Sequence, residues 1–334
     1  MDSREKGFSL VELMVAMVVT LIITGAVFQL VTAGHSAFRQ EPVMAERQQN
    51  IRMALDIISQ DLYRAGWGAP TFAQVFTDGL NGAGDGEGTT ITGSTGQPTD
   101  VLQMFSSSAC EPQPVCDVPG AGVSMTLKSA VEDCVHLPGL VLVADEEKWG
   151  VRWAQNPQQV TACPGAPAGA KNGKVSFPAG KAALVSPPGG FTGWIPSYML
   201  PGEAIRYRIN PGADGVPNLE RSAFGGQLDL NGKSTWEVIA RGIEDLQVEY
   251  ENAAGWHDEP GNVTCAAPCA SAQADYDKLI RRVRVRLGAR VTETGHLAGE
   301  TSAAAGPNAV RGQLVTEIAP RPATAAIQMY DGTL

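Results

Sequence analysis

Histidine is scarce in this chain and is never clustered: His35, His136, His257 and His296 are the only four in 334 residues. No Gly-x-Ser-x-Gly elbow and no His-Glu-x-x-His pair is present, which removes the usual frames for a serine nucleophile and for a zinc-bound water. Gly232-Lys233-Ser234 has the form of the end of a phosphate-binding loop, but Gln227 stands where the first glycine is needed. Gly82, Gly84, Gly86 and Gly88 alternate with neither a strand pattern before them nor a helix pattern after, so they make no dinucleotide fingerprint. An excess of positive charge is missing as well. The formal net charge is −10, which argues against nucleic acid as the main partner. Without catalytic apparatus the chain reads as a non-enzyme, with no cofactor implied.

Long apolar runs are also lacking, with one exception at the N-terminus. From Phe8 to Ala33 the only ionisable side chain is Glu12. A helix over this stretch would be roughly 39 Å long, enough to cross a ~30 Å hydrocarbon core with some tilt. A secretory signal peptide is a poor fit, because its apolar core is about 7–15 residues and would not contain Glu12. Val31-Thr32-Ala33 would serve as a cleavage site, but it comes too late in the chain. A plain membrane anchor fits the length and leaves Glu12 unexplained. At mid-bilayer a carboxylate costs about 2.5–3.5 kcal/mol, and less near the end of the span where Glu12 sits. Arg4 and Lys6 precede the segment, which favours a cytoplasmic N-terminus.

Gly7-Phe8-Ser9-Leu10-Val11-Glu12 resembles the processing site of type IV pilins and pseudopilins. The resemblance implies cleavage by a prepilin peptidase after Gly7 and methylation of the new N-terminal residue, Phe8. It also implies that Glu12 pairs with the N-terminal ammonium of a neighbouring subunit. That agrees with the physics, since a buried carboxylate is tolerable when an opposite charge satisfies it. Residues 1–7 are then a leader peptide and 8–33 a segment held first in the inner membrane and later in a filament core.

After Ala33 the pattern changes. Gly34, His35, Ser36 and Pro42 are positions where the helix would loosen or kink. Met44, Ile51, Leu55, Ile58 and Leu62 then recur at three- and four-residue steps among Arg47, Arg52, Gln60 and Arg64, the mark of an amphipathic helix with one face to bury. The Gly66-Trp67-Gly68-Ala69-Pro70 cluster ends it, giving an amphipathic section over 34–66. The string from Ile51 to Gly66 resembles the helix end of PilW-type minor pilins and of the related J-type pseudopilins.

The rest, 67–334, reads as β-rich. Residues 71–98 are rich in Gly, Asp and Thr and are expected to be a loop; Asp78, Asn81, Asp85 and Glu87 suit calcium by type but not by spacing. Short apolar runs follow at 100–106, 123–127, 140–144, 204–209, 236–240, 243–250, 280–291 and 314–318, separated by Gly/Pro turns, which predicts antiparallel strands. Val283, Val285 and Leu287 alternate with Arg282, Arg284 and Arg286, a half-buried strand with a basic outer face. The segments 203–209, 219–221, 238–250 and 283–287 resemble the C-terminal β part of the same families, whereas 110–201 matches nothing specific and is expected to be a loop insertion.

Six cysteines in an exported chain favour disulfides over thiols. Nearness in sequence pairs Cys110 with Cys116 and Cys265 with Cys269, leaving Cys134 with Cys163; a zinc site is the rival, and the scattered histidines disfavour it. Trp149, Trp153, Trp194, Trp236 and Trp256 are expected in or near the core. Together these readings give an α+β fold: a long N-terminal helix, hydrophobic then amphipathic, packed on a large antiparallel β-sheet domain of pilin-like type. The resemblance implies a minor pilin at or near the tip of a type IV pilus, with other minor pilins, the major pilin and a large tip adhesin as partners. A J-type pseudopilin of a type II secretion pseudopilus is the second reading, and a membrane-anchored binding module the third.

Overall fold

The chain is α+β. The computed structural model describes residues 9–69, 75–76, 99–107, 110–119, 122–131, 133, 135–145, 148–160, 163–164, 169, 171–178, 193–213, 216–225, 231, 233–258, 260, 279–290 and 311–320. It divides into two compact units, Met1–Gln49 and Asn50–Leu334.

A single helix, α1 (Leu10–Arg64), contributes to both units. Its N-terminus is set by Ser9, whose carbonyl accepts the N–H groups of Glu12 (3.0 Å) and Leu13 (3.1 Å). Glu12 in the first turn and Arg64 in the last complement the helix dipole. Helical structure continues through Gly34 and Pro42 without a break. Proline's fixed φ is itself helical, and its missing donor costs one bond rather than the helix.

In the second unit α1 is strongly two-faced. Ile51, Ala54, Leu55, Ile58, Leu62 and Ala65 are buried, while Arg52, Asp56, Gln60 and Arg64 are exposed. The helix stops where Gly66 adopts a left-handed φ of 82° and its N–H bonds to the Phe105 carbonyl at 2.7 Å, handing the chain to a strand.

Thirteen strands follow among the described residues. β1 (Leu102–Ser107), β2 (Gln113–Asp117), β3 (Ser124–Leu127), β4 (Gly139–Ala144), β5 (Trp149–Val160), β6 (Asn172–Ser176), β7 (Tyr198–Asn210), β8 (Asn218–Ser222) and β9 (Glu237–Arg241) form one sheet in the order β2-β3-β6-β5-β4-β7-β8-β9, with β1 also on β7. β2 pairs with β7 as well, through Gln113 with Met199 and Pro114 with Tyr198. The ladder β2-β3-β6-β5-β4-β7 therefore closes on itself, and closure removes its exposed edges. The stretch 110–201, expected to be a loop insertion, supplies β2 to β6 and opens β7. It also has its own core, including Val115, Met125, Leu127, Val141, Val143, Val175, Phe177, Trp194 and Met199.

A second sheet has the order β11-β10-β12-β13, from β10 (Ile243–Asn252), β11 (Gly255–His257), β12 (Arg282–Arg290) and β13 (Arg311–Ile318). Every named strand pairing is antiparallel. The buried face of α1 meets both sheets in one cluster: Ile51, Leu55, Ile58 and Leu62 with Met104, Ile205, Tyr207 and Leu219 from the first, and Leu246, Val248, Val283, Val285 and Leu287 from the second.

β7 is the strand on which the first sheet turns, since Gly202 pairs with Ser107 of β1 on one side and Leu140 of β4 on the other. A Cβ at Gly202 would strike the Phe105 ring and lie 2.8 Å from the Ser106 carbonyl oxygen. Gly202→Ala is therefore expected to destabilise the domain by about 1–3 kcal/mol through overpacking, read as a lower midpoint in denaturant. An unchanged midpoint would mean that β1 gives way without cost.

Candidate processing and assembly segment

The predicted processing residues Gly7 and Phe8 lie outside the described residues; the structure takes up the segment at Ser9. From there to residue 32 every side chain is exposed, and Leu10–Thr32 is long and apolar enough to cross a membrane, with mean hydropathy 2.4. Leu21, Phe28 and Leu30 are more than two-thirds exposed. Covering each such side chain with lipid or protein is worth about 1.5–3 kcal/mol. The threonines are internally satisfied, while Gln29 is an exposed uncharged polar side chain. Thr20, Thr24 and Thr32 donate their hydroxyls to the carbonyls of Ala16, Thr20 and Phe28, four residues back, at 2.7, 2.7 and 2.8 Å. These bonds mask three hydroxyls from an apolar surround. Glu12 is left as the one charged side chain on this surface, exposed in the first turn.

The other end of α1 carries an anchor that sequence reasoning missed. Asp61 sits on the buried face with only 7 % of its surface exposed. It accepts the Tyr207 hydroxyl of β7 at 2.5 Å and the Arg221 Nε of β8 at 2.7 Å, with Arg221 Nη2 at 3.3 Å from its second oxygen. Burial first, and then the Asp61 charge, push the Tyr207 phenol far above its ordinary value. Burial alone would lower the Arg221 guanidinium, but its hydrogen bond and charge pairing with Asp61 hold it well above its usual value. The phenol thus stays a donor and the guanidinium a cation. A carboxylate at 61 breaks the apolar run Ile57-Ile58…Leu62, and that interruption was the available signal.

The arginine stripe of β12 is part of an ion-pair ladder on the outer sheet face. Arg282 pairs with Glu251 and Glu317, and Arg284 with Glu249 and Glu317, both at 2.8 Å. Trp256 lies under both guanidinium groups, 5.4 and 4.1 Å from its ring centre. Trp236 is placed likewise, 3.9 Å from Arg208. Trp149, Trp153 and Trp194 are buried, Trp194 donating its indole N–H to Asp145. Trp67, the sixth, is 59 % exposed.

Among the cysteines, Cys116 on β2 is bonded to Cys163, beyond the end of β5, with Cα atoms 5.7 Å apart. Cys110 is disulfide-bonded too. The expected pairings Cys110–Cys116 and Cys134–Cys163 are therefore wrong. β2 is extended from residue 113, at about 3.3 Å per residue, and carries Cys116 away from its sequence neighbour. Cys134, Cys265 and Cys269 lie outside the described residues, as do the calcium candidates Asp78, Asn81, Asp85 and Glu87. No group of three or more His, Cys, Asp or Glu side chains among the described residues is placed to hold a metal. An open depression of about 290 Å³ is lined by Trp67, Gly68, Ser107, Cys110, Pro112, Tyr198 and Leu200.

Residues 2–28 match the family described as the prokaryotic N-terminal methylation motif. No curated protein sequence matches the chain. A type IV-like pilin from Thermus thermophilus is similar at 13 % identity over 55 % of this chain and 83 % of its own, with a TM-score of 0.21, too low to carry an argument. What is defined here is a segment: a prokaryotic N-terminal methylation motif leading into an exposed apolar helix.

Proposed function

We propose that the chain is a minor pilin of PilW type, a structural subunit that helps to start assembly of a type IV pilus and sits at or near its tip. The observation that carries this reading is the methylation-motif match over residues 2–28, running into a span whose described side chains are all exposed. A prepilin peptidase would cut after Gly7 and Phe8 would be methylated. Residues 8–33 would hold the protein in the inner membrane, N-terminus in the cytoplasm, until transfer into the filament. Other minor pilins, the major pilin and a large tip adhesin would be its partners. The role is that of an assembling part rather than an enzyme.

Mass spectrometry of the mature N-terminus tests this directly. The expected result is a chain beginning at Phe8 and carrying one added methyl group. An intact Met1, or a cut at Ala33, would overturn the reading. Deletion of the gene separates the pilus from the alternatives: loss of filaments is expected, loss of protein secretion alone would instead make the chain a J-type pseudopilin, and loss of neither would favour the binding module.

A further inference from the structure

We propose that the free edge of β13 accepts an extended, acid-bearing segment of a partner protein, added to the second sheet as a fifth strand. The inference goes beyond the filament reading and does not depend on it.

β13 closes the order β11-β10-β12-β13 and pairs with β12 along its whole length, from Arg311 opposite Arg290 to Ile318 opposite Val283. Among the described residues no strand pairs with its other side. An open edge is a template for a further strand, and proteins commonly blunt it with proline, lysine or a bulge. The sequence Arg-Gly-Gln-Leu-Val-Thr-Glu-Ile contains neither residue type, and its register with β12 is unshifted. Both faces of the strand carry uncovered apolar surface. Leu314, in register with the core residue Leu287, is 36 % exposed, and Val315 on the opposite face is 52 % exposed.

Charge selects the occupant. On the outer face Arg282 and Arg284 are neutralised by Glu249, Glu251 and Glu317. Two residues further along β12, Arg286 is half-buried between Gln247 and Val315, and no hydrogen bond or ion pair among the described residues reaches it. The backbone register pairs Arg290 with Arg311 at the far end of the same two strands. The carboxylate in register nearby, Asp245 opposite Gly288, is fully buried and accepts the Gln247 amide. In a chain of net charge −10, Arg286 is thus a cation with no ion-pair partner among the described residues, on the strand next to an open edge. A strand with a carboxylate on the Arg286 face and apolar side chains on the Leu314 face would satisfy the backbone edge, that cation and the exposed apolar surface together.

The test uses the full chain in detergent micelles and a fluorescent eight-residue peptide of alternating valine and glutamate, with a valine–lysine peptide as the opposite probe. Anisotropy is expected to show salt-sensitive binding of the acidic peptide alone. Arg286→Glu should weaken it at least about tenfold, while Arg52→Glu, an exposed cation on α1, should change it by less than about twofold. Hydrogen exchange on the unmodified chain should show slowed amides within 311–318 when the acidic peptide is bound. Equal loss in both variants, equal binding of the lysine peptide, or no protection of β13 would each overturn the proposal. Self-association lost in Arg286→Glu, without peptide binding, would overturn it in favour of a second copy of this chain.

Discussion

Asp61→Ala is expected to cost the domain about 3 kcal/mol, the low end of the range for breaking a buried ion pair from one side. The loss has two parts. Arg221 would keep its charge beneath α1 without its Asp61 partner, and the Tyr207 hydroxyl, in a side chain buried to 0 % exposure, would lose its acceptor. The low end applies because the Arg221 side chain remains 23 % exposed, so water screens part of the stranded charge. Thermal unfolding of the full chain in detergent should show the midpoint falling by roughly 2–4 °C per kcal/mol. Asp61→Asn keeps an acceptor for Tyr207 and should lose about half as much. Adding Tyr207→Phe to Asp61→Ala should cost almost nothing further, because the two changes remove the same bond. A loss below about 1 kcal/mol for Asp61→Ala would show that apolar packing alone holds α1 on its sheets.

The anchor also shows where sequence reading stops. The amphipathic face of α1 was legible because burial follows a strict three- and four-residue spacing from Ile51 to Leu62. Asp61 falls on that face, but a single chain pattern does not reveal that a tyrosine 146 residues away and an arginine 160 away supply its partners. The N-terminal span was legible for a different reason: its composition alone sets a length and a solvent, and the structure leaves its side chains exposed.

The closed ladder was not legible. β5 begins with the apolar alternation Trp149, Val151, Trp153 but continues through Gln155, Asn156, Pro157, Gln158 and Gln159, a run that reads as a turn. In the structure this stretch is still strand, with Asn156 at φ 52° and a register shift between Gln155 and Gln158 that lets β5 pair onward with β6. β2 and β6 are five residues each, too short for alternation to rise above chance, and their burial depends on a ring of pairings that closes only through β7. The same closure explains the disulfide. Cys116 and Cys163 meet because β2 and the end of β5 are brought together by strands between them, not by nearness in the chain.

Glu12→Ala is expected to leave membrane insertion intact and to reduce incorporation into filaments severely. Insertion should persist, since removing a charge from a span of mean hydropathy 2.4 only makes its transfer into lipid more favourable. Incorporation is a different test. A helix surface lined mostly by apolar groups, with its threonines bonded internally and Gln29 as its one exposed amide, has little but shape and packing to fix how far one copy slides along another. One carboxylate in the first turn changes that. In a low-dielectric filament core it is costly unless a cation meets it, so one axial position is favoured over the neighbouring ones by the desolvation cost of an unmet charge. The N-terminal ammonium created by cleavage after Gly7 would be such a cation. The experiment compares the amount of each variant in the membrane with the amount in sheared filaments. Glu12→Asp should recover part of the loss, because the charge returns on a shorter arm, whereas Glu12→Gln should not. Normal incorporation of Glu12→Ala would remove the proposed role of this charge and leave the segment a simple anchor.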